Sequence, residues 1–498
     1  MPDVPPSPTL SKSRFSAGLQ CLRRLYLEVY HPELAPEPSA AQQALFDTGN
    51  RVGALARKLF PGGLLIETPY DRHSEAVEAT GHALSDASIP ATYEAAFAHE
   101  GIRIRCDVLQ RNGDGSFDLF EVKSSSRVKD EHIPDVAIQL HVVEGAGVRV
   151  RAAHVLHINT AYVYLGGDYD LHGLFQADDV TSEAREFLRD EAPGKLAAMW
   201  EALRSDEAPA VGTGARCENP YLCPFYDYCH QDFPEFCVEQ LPHLSGKLRA
   251  ALAGAGIVDI RRIPPGFSGL SAMQQRVQES VVGGRPFVSG GLADALAQVR
   301  EPLHFLDFEA VNPALPLFPG TRPFQAVPFQ WSLHTLDSDG KLRHQAFLHG
   351  GRDDPRPAFA ESLLSAVDGD APIVVYATYE ATRLNDLAQH IPSRAAGIQA
   401  VRSRLFDLLR FLREHYYHPG QHGSFSLKDV LPALAPDLGY GDLLLREGSA
   451  AALAYEKMLW PDTPQEERER LRQALLDYCQ RDTLALVKVL KALRAQVG

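Results

Sequence analysis

At 498 residues the chain is too long for one hydrophobic core, and about two to four domains are expected. With 45% apolar and 23% charged residues, the composition excludes extensive disorder, and no apolar run nears the roughly 20 residues that span a bilayer. A net charge of −15 does not advertise a nucleic-acid binder, yet acidic metal sites contribute to such a balance, so charge alone excludes little.

The start, MPDVPPSPTLSKSR, lacks the charged-then-apolar order of a signal peptide, which makes the cytoplasm the expected location. LSKSRFSAGLQCLRRLYLEVYHPEL then predicts a helix capped by Ser11, with Cys21 in its middle. Residues 31–40 read as a loop, and FDTGNRVGALARKLF as a helix stopped by Pro61, Gly62 and Gly63. TYEAAFAHEG is a strand candidate leading into RIRCDVLQRNGDGSFDLFEVKSSS, a β-hairpin with its turn at Asn112 to Gly115. DEHIPDVAIQLHVVEGAG predicts a helix with Asp135 and Gln139 on one face, AAHVLHINTAYVYLGG a strand, and residues 181–204 a charged helix.

The stretch 238–300 reads as a helical connector broken by Gly254, Gly256, Pro264, Pro265 and Gly266. From 301, strands HFLDFEAV, FQAVPFQWSLHTL, KLRHQAFLHG and APIVVYATYE precede mostly helical sequence that ends in a long helix over 464–497. Such an order suggests an α/β or α+β layered architecture. The expected division is 1–237, a connector over 238–300, and 301–498.

Three constellations carry chemistry. In the hairpin, Glu121 and Lys123 are two apart and project to one face, with Asp107 on the partnering strand. Two carboxylates about 4 Å apart repel by roughly 1–4 kcal/mol, so such a pair persists when a cation sits between the oxygens. A lysine alongside completes the equipment for metal-assisted phosphodiester hydrolysis. Gln139 arrives on the following helix, and Glu94 lies on the preceding strand.

This set resembles the RecB-type branch of the PD-(D/E)xK nucleases, including its iron–sulfur members, over about residues 9–232. The resemblance implies that Asp107, Glu121 and Lys123 form the metal and nucleophile site and that Gln139 matches the family's helix glutamine. Where the family often places a histidine four residues after a glycine, Gly49 is followed here by Gly53. Either Glu94 replaces that ligand or the metal site is weaker.

Of seven cysteines, Cys217, Cys223, Cys229 and Cys237 fall within 21 residues, with Cys21 far upstream. Disulfides are not expected in a cytosolic chain, and four thiolates suit an iron–sulfur cluster or a structural zinc. The C-x2-4-C knuckles usual for zinc are absent. The iron–sulfur RecB-type nucleases use one cysteine before the core and three after it, which implies a 4Fe–4S cluster on Cys21, Cys217, Cys223 and Cys229, with Cys237 as a competing ligand. Cys106 and Cys479 read as small buried hydrophobes.

In the third constellation, Asp307 and Glu309 are two apart on a strand, Glu380 follows another strand, and Tyr478 and Asp482 are four apart on a helix. The order is similar to that of the DnaQ-like 3′→5′ exonucleases of the DEDD class, over about 301–495. The resemblance implies an RNase H-like fold in which Asp307, Glu309, Glu380 and Asp482 hold two divalent ions, Mg²⁺ or Mn²⁺, and Tyr478 orients the attacking water. Glu380 stands where the family has aspartate, and Ala377 where it has asparagine. Asp407, Lys428 and Asp429 are candidates to line the substrate path, or to serve as caps and surface charge.

The expected protein is a two-module, metal-dependent nuclease acting on DNA, with no membrane association. A nucleic-acid-binding platform with decayed sites and an RNA nuclease are the alternatives.

Overall fold

The computed structural model describes residues 8–367 and 369–497; the proline-rich start, on which the signal-peptide reading rests, lies largely outside them. The chain is mixed α/β and forms two compact units. Unit 1 is Met1–Asp232 with Pro313–Phe324, and unit 2 is Phe233–Asn312 with Gln325–Gly498. The stretch 238–300 therefore belongs to unit 2, and the segment 313–324 to unit 1. No helix among the described residues is long and apolar enough to cross a membrane.

Unit 1 is built on a seven-stranded sheet. Its main strands are β1 (Ala91–His99), β2 (Ile102–Arg111), β3 (Phe117–Lys123), β4 (Val150–Ile158) and β5 (Phe175–Asp179), adjacent in that order. The β2–β3 pairing runs only from Arg111–Phe117 to Val108–Phe120, while β3 stays paired with β4 through Lys123. The two strands fork beyond Val108, and the two-residue strand Leu10–Ser11 pairs with Ile102 and Arg103 of β2 in parallel. Side-chain alternation on β2 also slips by one. Ile102, Ile104 and Cys106 face one core, and so does Leu109, while Val108 faces another.

The expected helix from Ser11 onward is two helices, α1 (Lys12–Gln20) and α2 (Leu22–Tyr30), because Cys21 between them is extended at φ −164° and ψ 125°. Ser11 caps α1, accepting from the Arg14 N–H. Helix α3 (His132–Gly145) packs Val136, Leu140 and Val143 onto the core that contains Leu119 and Phe117. The charged segment expected as one helix over 181–204 breaks at Glu191 into Thr181–Asp190 and Ala192–Arg204.

Unit 2 holds a five-stranded sheet of β6 (Leu303–Val311), β7 (Val327–Leu336), β8 (Leu342–Leu348), β9 (Ile373–Val375) and β10 (Leu405–Asp407). The order is β8-β7-β6-β9-β10, antiparallel across β8, β7 and β6, and parallel across β6, β9 and β10. Leu306 and Phe308 of β6 face a core with Phe359 and Leu363, so the alternate residues Asp307 and Glu309 face the other side. There the C-terminal helix α5 (Gln465–Ala495) lies, after α4 (Tyr379–His390). Three hydrogen bonds fix α5 on β7: Gln330 Nε2 to the Leu475 carbonyl at 2.7 Å, and the Ser332 hydroxyl and His334 Nδ1 to the Thr483 hydroxyl at 2.8 Å each. The expected helical connector also contributes a short strand, Phe287–Val288, paired with Tyr416–Tyr417.

Candidate active sites and thiol pocket

In unit 2 the register of α5 brings Tyr478, Cys479 and Asp482 to the acidic face of β6. Ligand atoms of Asp307, Glu309 and Cys479 lie within 4.8 Å of one another. Cys479 Sγ is 3.4 Å from Asp307 Oδ2, so this thiol touches the acidic centre as well as filling space. Glu380, in the first turn of α4, is buried, and its Oε2 has no partner. Asp482 accepts a 2.5 Å hydrogen bond from the Tyr440 hydroxyl.

None of these four carboxylates forms an ion pair with a described residue. Burial and mutual repulsion therefore outweigh what opposes them. Burial, then Asp482, Glu309 and Glu380, raises Asp307 well above the usual carboxylate range. Burial and Asp482 raise Glu309 as well, against Lys428. Burial and the Asp407 charge lift Glu380 to about 8, and burial lifts Asp482 to about 6 against the Tyr440 hydrogen bond. A buried unpartnered oxygen among four raised carboxyls is what an oxygen-ligated divalent ion would satisfy, and the residue set fits one or two such ions.

Asp407 caps the helix Leu408–His415 through the Arg410 N–H at 3.0 Å and accepts from the Ala377 N–H at 3.1 Å, which favours its capping role. Ala377 itself is left-handed at φ 71°. Lys428 Nζ lies 5.6 Å from the Tyr440 ring and 5.5 Å from the Tyr478 ring, and it donates to the Arg446 carbonyl. An open pocket beside the carboxylates is lined by Glu309, Asn312, Tyr379, Arg383 and Ser449.

In unit 1 the fork between β2 and β3 holds the first constellation, and it has a member that the sequence did not suggest. Lys12, the first residue of α1, places Nζ 2.8 Å from Glu121 Oε1 and 3.0 Å from Oε2. Lys123 Nζ reaches the same Oε1 at 2.8 Å and Asp135 Oδ2 at 2.7 Å. Gln139 Nε2 donates to Glu121 Oε2 at 2.7 Å. Asp107 Oδ2 accepts from the Val122 N–H at 2.7 Å.

Burial works to raise Glu121, yet the ammonium groups of Lys12 and Lys123 overcome it and hold the carboxyl well below its usual range. Asp107, raised by burial and then by Glu121, reaches about 7. Glu94 stands at φ 54° on β1, and its Oε2 accepts from the Tyr70 hydroxyl at 3.2 Å. At Gly53 an added Cβ would meet nothing within 4 Å.

Cys21, Cys217, Cys223 and Cys229 line one pocket of unit 1, together with Arg23, Arg24 and Arg216. The break at Cys21 turns that thiol toward the later segment, and Gln20 Nε2 ties the two together by bonds of 2.7 Å to the carbonyls of Arg216 and Tyr221. Among the described residues no three of these sulfurs lie mutually within 4.8 Å. Thiolates on one zinc sit about 4 Å apart. Burial raises the thiols of Cys223 and Cys229, and both Cys21 and Cys217 add to that. Cys237 is not among the residues lining this pocket; it belongs to unit 2, where its backbone bridges to Asp259.

Residues 304–426 match the model of a family described as a domain of unknown function, DUF2779. The matched segment carries Asp307, Glu309 and Glu380 and ends before Tyr440, Tyr478 and Asp482. No curated protein matches the chain. The solved structure titled "Crystal structure of SSO0001" is similar over 46% of this chain and 90% of that one, at 15% identity and a TM-score of 0.24.

Sequence reasoning missed Lys12, Tyr440 and Cys479. Cys479 carried a signal, since it adjoins Tyr478 on the helix that faces Asp307. Lys12 carried none, because it meets Glu121 across 109 residues.

Proposed function

We propose that the chain is a metal-dependent nuclease whose hydrolytic centre is the carboxylate cluster of unit 2. The observation that carries the reading is four carboxylates gathered on β6, α4 and α5, Glu309, Glu380 and Asp482 buried and Asp307 half-buried, with no ion pair to any of them. Like charges at such spacing cost several kcal/mol unless a cation joins them. A sheet with its acidic pair on a central strand, faced by a C-terminal helix bearing Tyr478 and Asp482, supports the RNase H-like, DnaQ-like assignment.

When bound, divalent ions would supply an activated water and neutralise charge on the phosphate. Asp307, Glu309, Glu380 and Asp482 would hold them. Tyr440 keeps Asp482 oriented by donating to it, and burial and the neighbouring acids keep the phenols of Tyr440 and Tyr478 protonated. Tyr379, 42% exposed, offers a face on which a base stacks, and Arg383 beside it offers charge to a phosphate. DNA is the first substrate to try and RNA the second, since no group here singles out a 2′-hydroxyl.

Unit 1 supports a RecB-like assignment through its forked hairpin and the helix bearing Gln139. Its thiol pocket is proposed to hold a 4Fe–4S cluster, with Arg23, Arg24 and Arg216 offsetting the negative charge. The cluster would staple the Cys21 break to the segment 217–229.

The test uses purified full-length protein on single-stranded DNA, duplex DNA and matching RNA, with Mg²⁺, Mn²⁺ or chelator. Cleavage is expected only with a divalent ion, and Asp307→Asn is expected to abolish it. Cleavage that survives Asp307→Asn would sink the reading. For the thiol pocket, anaerobically purified protein is expected to be brown and to contain about four irons per chain; a colourless preparation rich in zinc would reject the cluster.

A further inference from the structure

The acidic centre of unit 1 does not match the metal requirement that its resemblance implies. An ionised carboxylate offers about four lone-pair sites. For Glu121 all four are taken: Oε1 by Lys12 and Lys123, and Oε2 by Lys12 and Gln139. Every one of these donors comes from the protein, at 2.7–3.0 Å. Asp107 has one oxygen committed to the Val122 N–H. Lys123, the residue meant to serve a nucleophile, is shared between Glu121 and Asp135, whose other oxygen accepts from Ser16 at 2.7 Å.

The backbone explains how Lys12 comes to be there. β2 and β3 part company beyond Val108, and the strand Leu10–Ser11 occupies the vacated edge of β2 at Ile102 and Arg103. The next residue is Lys12, and Ser11 caps the helix that begins with it. Its ammonium is therefore delivered into the fork by two structural devices, strand pairing and a cap. It is not a loose surface lysine that has folded over. The helix position where the family often has a histidine ligand is Gly53, which brings no donor atom.

We propose that the Lys12 ammonium takes the place of a divalent cation on Glu121, beside Asp107, so that unit 1 binds no metal at this site and hydrolysis is left to unit 2. A carboxylate pair forced together needs a cation, and here the chain supplies its own. The inference rests on the RecB-like reading of unit 1 for the comparison, but not on any activity of unit 2.

Mn²⁺ binding to the full-length protein, measured by calorimetry and by electron paramagnetic resonance, tests it. The stoichiometry of the unaltered chain is expected to be unchanged by Glu121→Gln. Lys12→Met is expected to gain one Mn²⁺ per chain, and the double variant Lys12→Met with Glu121→Gln to lose it again. Loss of a Mn²⁺ from the unaltered chain on Glu121→Gln would overturn the proposal. So would a folded Lys12→Met protein, by circular dichroism, that gains none. If Lys12→Met does not fold, the Glu121→Gln comparison in the unaltered chain decides alone. Asp307→Asn provides the separate arm: a Mn²⁺ stoichiometry insensitive to it contradicts the unit 2 reading and leaves the Lys12 proposal standing or falling on its own variants.

Discussion

The two acidic centres start from the same local design and end in opposite electrostatic states. Each sets acidic residues on a sheet strand and brings a polar residue to them from a helix. In unit 1, Glu121 pairs with Lys12 and Lys123, Asp135 pairs with Lys123, and Glu121 is pushed below the usual carboxylate range, while Asp107 has no ion pair and is raised. In unit 2, Asp307, Glu309, Glu380 and Asp482 have no ion pair, and all four are pushed up. On the proposed readings, an acidic motif is not by itself a metal site. What decides is whether the fold answers the charge from within or leaves it for an outside cation.

Removing one carboxylate from each centre separates the two cases. In unit 2, Glu309→Gln is expected to lower the cleavage rate about 10²–10³-fold, the loss typical when one group stabilising transition-state charge is removed. The same change relieves repulsion, so the metal-free protein should melt at an equal or higher temperature. In unit 1, Glu121→Gln leaves two ammonium groups facing a neutral amide. Breaking a buried pair costs about 3–5 kcal/mol, and the partly exposed lysines bring the expected loss to about 2–3 kcal/mol in urea unfolding. A stabilised Glu121→Gln variant, or a destabilised Glu309→Gln variant, would reverse the contrast.

The residues that make this contrast differ in how far they could be read from sequence. Asp307 with Glu309, and Tyr478 with Asp482, are spaced by the strand and helix periods, so local geometry already puts each pair on one face. The hairpin carrying Asp107, Glu121 and Lys123 was legible for the same reason. Meeting partners across the chain was not. Tyr440 reaches Asp482 over 42 residues and Lys12 reaches Glu121 over 109, and nothing in the local pattern encodes either. The break at Cys21 was hidden as well, because the sequence on both sides favours helix and nothing local marks the extended residue that separates α1 from α2. The α/β layering was visible in the strand and helix patterns. The division into units was not, since the segment 313–324 lies between two strands of unit 2 yet packs with unit 1.

A smaller effect belongs to the pocket beside unit 2's carboxylates. Tyr379→Ala is expected to weaken single-stranded oligonucleotide binding by about 1–2 kcal/mol, the worth of one base stacked on an aromatic ring. KM should rise with little change in kcat, and Tyr379→Phe should restore it. A loss confined to kcat would instead place Tyr379 at the reacting phosphate.

A last expected effect is a pH dependence, and its sign follows from the direction of the shifts. Glu380 at about 8 and Asp482 at about 6 lie above the usual carboxylate range, so folded unit 2 holds protons that the unfolded chain has released. Their contribution to stability therefore declines as pH rises from about 4, levelling for Asp482 above 6 and for Glu380 above 8. In unit 1, Asp107 at about 7 acts in that direction, while Glu121, held low, contributes stability that is lost only as pH falls below the usual range. Hydrogen exchange followed by mass spectrometry, unit by unit between pH 5 and 8, should show the steeper decline in unit 2. Mn²⁺ binding at pH 7 should release about one proton or more, read from calorimetry in buffers of different ionisation enthalpy. Because the ion replaces those protons, saturating Mn²⁺ should flatten unit 2's slope and leave that of unit 1 unchanged; equal flattening in both units would mean that Lys12 yields its place to the metal.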